Sequence, residues 1–147
     1  MTVFENLLVA AAFGARLGDD EAHAACVGIL KNMNLLKKAN QLAGSLTLLE
    51  RKRLELARAL ATAPKLLLLD EIAGGLTEPE ARELVALIRE LKSAGTAMIW
   101  IEHVMHALVA LADRIVVINF GARLAEGPPE AVMRDPEVQR VYLGIEA

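Results

Sequence analysis

The chain has 147 residues, with 19 acidic side chains against 16 Lys and Arg, a formal net charge of −3. That balance and a pI near 5.6 argue against a general nucleic-acid binder, which presents a basic surface. Hydrophobic residues make up 54% and charged residues 24%, which excludes a disordered chain, and the single Cys26 excludes an internal disulfide.

Thr2 and Glu5 form a capping box at the start of an apolar helix expected to reach about Arg16. Gly18-Asp19-Asp20 punctuates, and 21–32 is a second predicted helix. Residues 35–45 are a predicted loop carrying Lys37, Lys38 and Gly44. Thr47 and Glu50 repeat the box and open a helix over 48–62, closed by Pro64. Leu66 to Leu69 is a short aliphatic run, predicted as a strand buried on both faces. Thr77, with Glu80 three residues on, caps a helix to Ser93, and Gly95 stops it. Further strands are predicted at 96–101, 114–119 and 122–126, with a helix at 104–112, a turn at Phe120-Gly121 and a last helix capped by Asp135-Pro136. Residues 1–62 are thus expected to be a helical domain. Residues 63–147 alternate strand and helix, which implies an α/β domain with a parallel sheet.

No apolar run reaches the roughly 18 residues that cross a bilayer. The first 17 residues lack the basic start and the cleavage site of a secretory leader. The expected location is the cytosol.

The strand 66–69 ends in Asp70-Glu71. Ligands of open α/β sheets bind at the carboxyl ends of strands. There Asp70 could orient Mg²⁺, a hard cation that prefers oxygen ligands, and Glu71 could polarise an attacking water. The other reading is an ordinary polar turn. A helix start such as Thr47 suits phosphate through its free N–H groups, yet a plain capped helix reads the same way. His103 follows the strand 96–101 and could contact a terminal phosphate as a neutral imidazole, or be structural. The pairs His103/His106 and His23/Cys26 lack the further nearby ligands of a zinc site.

These pieces occur in a telling order. The run Leu46 to Leu60, LTLLERKRLELARAL, is similar position for position to the LSGGQ signature and following helix of ABC ATPases. Leu66 to Glu71 resembles their Walker B strand with its glutamate. Gly74 to Thr77 resembles the D-loop, and Ile101-Glu102-His103 the switch histidine. Met1 to Asn6, Gly121 to Gly127 and Val141 to Gly144 resemble the branched-chain amino acid (Liv-type) subgroup.

The resemblance implies a helical subdomain (1–62) followed by the C-terminal half of a P-loop, RecA-like core (63–147), with ATP and Mg²⁺ as cofactors. By it, Thr47, Leu48, Leu49 and Glu50 serve the nucleotide of a second ATP-binding subunit paired head to tail. Gly75, Leu76 and Thr77 form the D-loop, Glu71 and His103 are catalytic, and Asp70 holds Mg²⁺ through water. Transmembrane permease subunits complete the assembly, which places the chain peripherally on the inner face of the plasma membrane. The implied function is ATP hydrolysis driving import of branched-chain amino acids. The alternatives are a non-catalytic module that donates its signature helix to a full-length partner, and an ATPase of the lipopolysaccharide-export branch.

The chain departs from the family pattern in several places. Leu48 and Leu49 replace the signature glycines, Glu50 its glutamine, Ile72 a proline and Thr77 an aspartate. None of the ten glycines precedes a lysine, so the phosphate loop G-x-x-x-x-G-K-[ST] is absent from these residues. Three or four lost charge-assisted hydrogen bonds, at roughly 1.5–3 kcal/mol each, predict that this chain alone does not bind ATP measurably. A core with strands missing also predicts uncovered apolar sheet surface and poor solubility.

Overall fold

The computed structural model describes residues 1–103 and 105–143, except the side chains of His106 and Leu143. Contacts divide the chain into two compact units, Met1–Ile101 and Glu102–Ala147.

The first unit opens with helix α1 (Val3–Val9). Thr2 Oγ1 accepts from the Glu5 N–H, and Glu5 returns its carboxylate to the Thr2 N–H at 2.7 Å. The expected helix to Arg16 is interrupted. From Ala10 to Gly14 the backbone widens to π-helical spacing, and Arg16 adopts φ 58°, which ends it. A Cβ on Gly14 would lie 2.7 Å from Thr62 Cγ2, so the close approach of that turn to the end of the third helix requires glycine. Helix α2 (Asp19–Asn32) begins two residues before its expected start, with Gly18 as N-cap and Asp19, Asp20 and Glu21 in its first turn, where negative charge suits the helix dipole. The predicted loop at 35–45 contains two short 3₁₀ turns, Leu36–Lys38 and Ala43–Ser45.

Helix α3 (Leu48–Ala61) has Leu49, Leu54, Leu56, Ala57 and Ala61 buried. It packs on α1 and α2, and Val3, Leu7, Cys26 and Leu30 are also buried there. Strand β1 (Leu66–Asp70) follows, then helix α4 (Glu78–Ser93) and strand β2 (Ala97–Ile101). The strands pair in parallel, Leu66 opposite Ala97 through Asp70 opposite Ile101. The α4 helix crosses over between them and buries Ala81, Leu84, Leu87 and Ile88.

One expectation is corrected. Strand β1 is buried on one face only: Leu67 and Leu69 are covered, while Leu66 and Leu68 are exposed, Leu68 by 68%. Strand β2 likewise exposes Ile99 and Ile101. Alternate residues of a strand point to opposite faces, and the helices of this unit cover one face of the pair.

The second unit holds α5 (Met105–Leu111), β3 (Ile115–Asn119), β4 (Ala122–Gly127), α6 (Pro129–Met133) and α7 (Pro136–Val138), the last running into a π-helical turn to Leu143. Val104 and Gly144, at the edges of expected features, lie outside the described residues. Strands β3 and β4 form their own antiparallel sheet, with no parallel partner among the described residues. The cause is the two-residue turn Phe120-Gly121, both at positive φ (46° and 77°), which suits a tight hairpin. Ile115, Val117, Val132 and Val138 make the core of this unit. No helix among the described residues is long and apolar enough to cross a membrane.

The bare face of β1 and β2 predicts self-association. Light scattering on the isolated chain should show oligomers, and Leu68→Lys with Ile99→Lys should return it toward monomer. A monodisperse wild-type monomer that melts cooperatively would refute this.

Candidate functional site

The parallel register brings two carboxyl ends to one edge. Asp70 is the last residue of β1 and is exposed. Glu71 follows at φ 44°, a left-handed conformation that costs a residue with a Cβ roughly 1–2 kcal/mol. Two backbone bonds hold it there. Its N–H donates to Ile101 O at 2.9 Å, and its carbonyl accepts from Gly74 N–H at 3.0 Å. The turn that follows buries Ile72 and Ala73 and passes through Gly75 at φ 78°. It ends at Thr77, whose N–H and hydroxyl both donate to Glu80, at 2.9 and 2.7 Å.

Beside this edge, α3 and β1 enclose a groove of about 130 Å³ lined in part by Glu55, Leu69, Asp70 and Ile72. That is smaller than the ~300 Å³ lower end for ligand pockets. The described residues contain no cluster of three or more His, Cys, Asp or Glu able to hold a metal. Asp70 offers a hard oxygen ligand of the kind that suits Mg²⁺ when phosphate oxygens and water complete its shell.

At the start of α3 the box closes as its residues dictate. Glu50 Oε2 accepts from the Thr47 N–H at 3.0 Å, and Thr47 Oγ1 accepts from the Glu50 N–H at 3.4 Å. The carboxylate therefore folds back on its own cap. Its other oxygen meets Lys38 Nζ at 2.5 Å. The lysine, and then the Thr47 backbone N–H, hold the Glu50 carboxyl below its usual range. The two leucines part company: Leu49 is 8% exposed and turned inward, whereas Leu48 is 40% exposed and reaches Gly75.

His103 belongs to the second unit, and its side chain is largely exposed. Its N–H donates to Glu102 Oε2 at 3.1 Å, and its Nδ1 lies 3.5 Å from the same oxygen. The first unit thus brings Asp70, Glu71, the turn through Thr77 and the start of α3 onto one body, and His103 stands on the other.

Sequence reasoning missed three contacts. Lys38 partners Glu50, Leu48 meets Gly75, and Arg53 of α3 reaches Glu83 of α4 at 2.7 Å. Each joins residues at least twelve apart, and no local spacing signals them. It also missed Arg114 and Arg123 converging on Glu126, at 2.8 and 2.5 Å.

A family model described as ABC transporter matches residues 1–74, and one described as branched-chain amino acid ATP-binding cassette transporter matches residues 122–147. The chain belongs to the ABC transporter family. The high-affinity branched-chain amino acid transport ATP-binding protein LivG of Escherichia coli is 39% identical over 98% of the chain. BraF of Pseudomonas aeruginosa, described in the same words, is 40% identical over 98%. The lipopolysaccharide export ATP-binding protein LptB of Haemophilus influenzae is 31% identical over 98%. The chain spans 62% of the length of LivG and of BraF. Among solved structures, MJ1267, an ATP-binding cassette of an ABC transporter, superposes with TM-score 0.85 at 28% identity, over 97% of this chain and 62% of that one. A putative metal-chelate type ABC transporter superposes at 0.87 with 19% identity, over 99% of this chain and 59% of the other, and supports the fold alone. The expected Liv-type resemblance and the α/β fold of P-loop type are both borne out.

In this ABC chain the Glu50 lock has a pH signature. An unfolded Glu takes up its proton near about pH 4.3, whereas folded Glu50 does so lower. Its stabilisation is therefore complete above the unfolded value and is lost as pH falls through the folded one. Glu50→Gln should lower the melting temperature at neutral pH and flatten its fall across the acid range. Thr47→Ala should cost about 1 kcal/mol. Identical acid profiles for wild type and Glu50→Gln would refute the lock.

Proposed function

We propose that this chain is the signature- and Walker B-bearing part of the ATP-binding subunit of an ABC importer, and that its transported solutes are branched-chain amino acids. One observation carries the reading. The sole parallel strand pair among the described residues delivers Asp70 and Glu71 to a single exposed edge, beside the signature-like helix α3. Such an edge is where ligands of α/β sheets bind. The Liv-type match at residues 122–147 and the greater identity to LivG and BraF favour amino-acid import over the lipopolysaccharide-export branch.

In this reading residues 1–62 are the helical subdomain and residues 63–147 belong to the ATPase core. ATP and Mg²⁺ are the cofactors. Asp70 would hold the ion, Glu71 would polarise the attacking water, and His103 would contact the terminal phosphate. Gly75, Leu76 and Thr77 act as the D-loop. Thr47, Leu48, Leu49 and Glu50 face the nucleotide of a second ATP-binding subunit paired head to tail. Permease subunits hold the pair at the inner face of the membrane. The triphosphate cradle itself is supplied by a phosphate loop that these 147 residues do not contain.

Two measurements test this. Titration calorimetry of the 147-residue chain with Mg-ATP should give no binding heat up to millimolar nucleotide. Micromolar binding would mean that another element grips the phosphates. Joined to the phosphate-loop segment of a Liv-type relative, the chain should hydrolyse ATP. Glu71→Gln should then lower kcat by roughly 10²–10⁴-fold, the usual weight of a general base, with ATP binding retained. Full activity in that variant would overturn the assignment.

A further inference from the structure

The turn between β1 and α4 is held from outside by α3. Gly75 sits at φ 78°, and a Cβ built on it would lie 3.3 Å from Leu48 Cδ2. The leucine side chain therefore rests against a point of the turn where a Cβ would be both strained by its positive φ and crowded. Next to that point, the Gly74 N–H donates to the Glu71 carbonyl at 3.0 Å and the Leu76 N–H to the Ala73 carbonyl at 3.3 Å. Beyond the turn, Arg53 of α3 reaches Glu83 of α4 at 2.7 Å. The arginine side chain is 14% exposed and the glutamate 59%, so the tie is shielded on the arginine side only. Helix α3 thus touches the turn at its middle and grips α4 in its N-terminal half.

Glu71 needs such support. Its left-handed backbone is strained, and one of its two backbone bonds comes from Gly74, the neighbour of the residue that Leu48 covers. We propose that Leu48 is a positioning residue for Glu71. Its side chain closes on Gly75 and holds the turn whose Gly74 N–H fixes the Glu71 carbonyl. A glycine at position 48 could not make this contact. The leucine at the first position of α3 therefore ties the start of that helix to the carboxylate within the same chain. The consequence for hydrolysis rests on the role proposed above for Glu71, but the contact itself is testable without nucleotide.

The experiment is residue-resolved amide hydrogen exchange on the full 147-residue chain without nucleotide, for wild type, Leu48→Ala and Leu48→Met. Leu48 is half-exposed, so truncating it should leave the core intact. In Leu48→Ala, exchange at Gly74 and Leu76 should quicken on the order of tenfold, the mark of a local opening, while Leu84, Ile88 and Leu56 keep wild-type rates. Leu48→Met, which can still reach Gly75, should restore slow exchange. Unchanged exchange at Gly74 and Leu76 in Leu48→Ala would overturn the proposal. So would a uniform rise across α3 and α4, which would mark Leu48 as merely structural. Failure of the nucleotide reading alone would leave these rates as expected.

Discussion

Five residues of parallel pairing, Leu66–Asp70 against Ala97–Ile101, fix where the acidic groups of the candidate site can lie. The pairing does not stop at the strand end, because the Glu71 N–H adds one more bond to Ile101 O. That bond carries the ladder one residue past Asp70 before the chain turns. Without it Glu71 would belong to a free loop. With it, the residue is registered against a neighbouring strand and its carboxylate leaves the backbone from a defined point. The helix that makes parallel pairing possible, α4, is also the one whose cap at Thr77 closes the turn. The crossover that builds the sheet therefore also bounds the loop that follows the two acids.

Three threonines open three helices, and in each the carboxylate of a glutamate at the third helical position accepts from the threonine N–H. The boxes at Thr2 and Thr77 are simple terminators. The one at Thr47 differs because Lys38 meets its glutamate. A helix start carries about half a positive charge, and a carboxylate placed on it would reverse that sign toward an incoming phosphate. The lysine adds a unit positive charge and restores the balance. The glutamate in place of the signature glutamine is thus compatible with an anion nearby, provided its lysine stays in place. The shared motif is a local feature of sequence, and the difference between the boxes comes from a residue twelve positions upstream.

The readable features of the sequence were those whose cause is local. The capping boxes announced α1, α3 and α4, and Phe120-Gly121 announced a turn, though not that the strands beside it pair antiparallel. The LTLLERKRLELARAL run and the LLLLDE strand, in that order, announced the family. What stayed hidden has physical reasons too. Four consecutive leucines carry no alternation, so Leu66 to Leu69 could not reveal that one face is bare. The alanine-rich stretch from Ala10 to Ala12 satisfies an α pattern as well as a π one, so its π-helical spacing was not legible. Arg53 and Glu83 lie thirty residues apart on helices with their own exposed faces, so each reads alone as solvated charge. The carboxylates were visible, while the contacts that orient them were not.

The strain at Glu71 shows how these levels combine. A left-handed glutamate costs roughly 1–2 kcal/mol, and two backbone hydrogen bonds return about 0.5–1.5 kcal/mol each. Those two bonds are of the size needed to offset the strain, and packing on the turn adds to them. That packing comes from its own neighbours Ile72 and Ala73, buried in the turn, and from one residue distant in sequence, Leu48 against Gly75. Because the strain lies in the backbone, exchanging the acid for its amide keeps the side-chain shape and removes its charge. Exchanging the leucine at the head of α3 leaves the acid in place and alters the packing on its turn. The two substitutions therefore separate what Glu71 does from where Glu71 is held, and only the second depends on packing by α3.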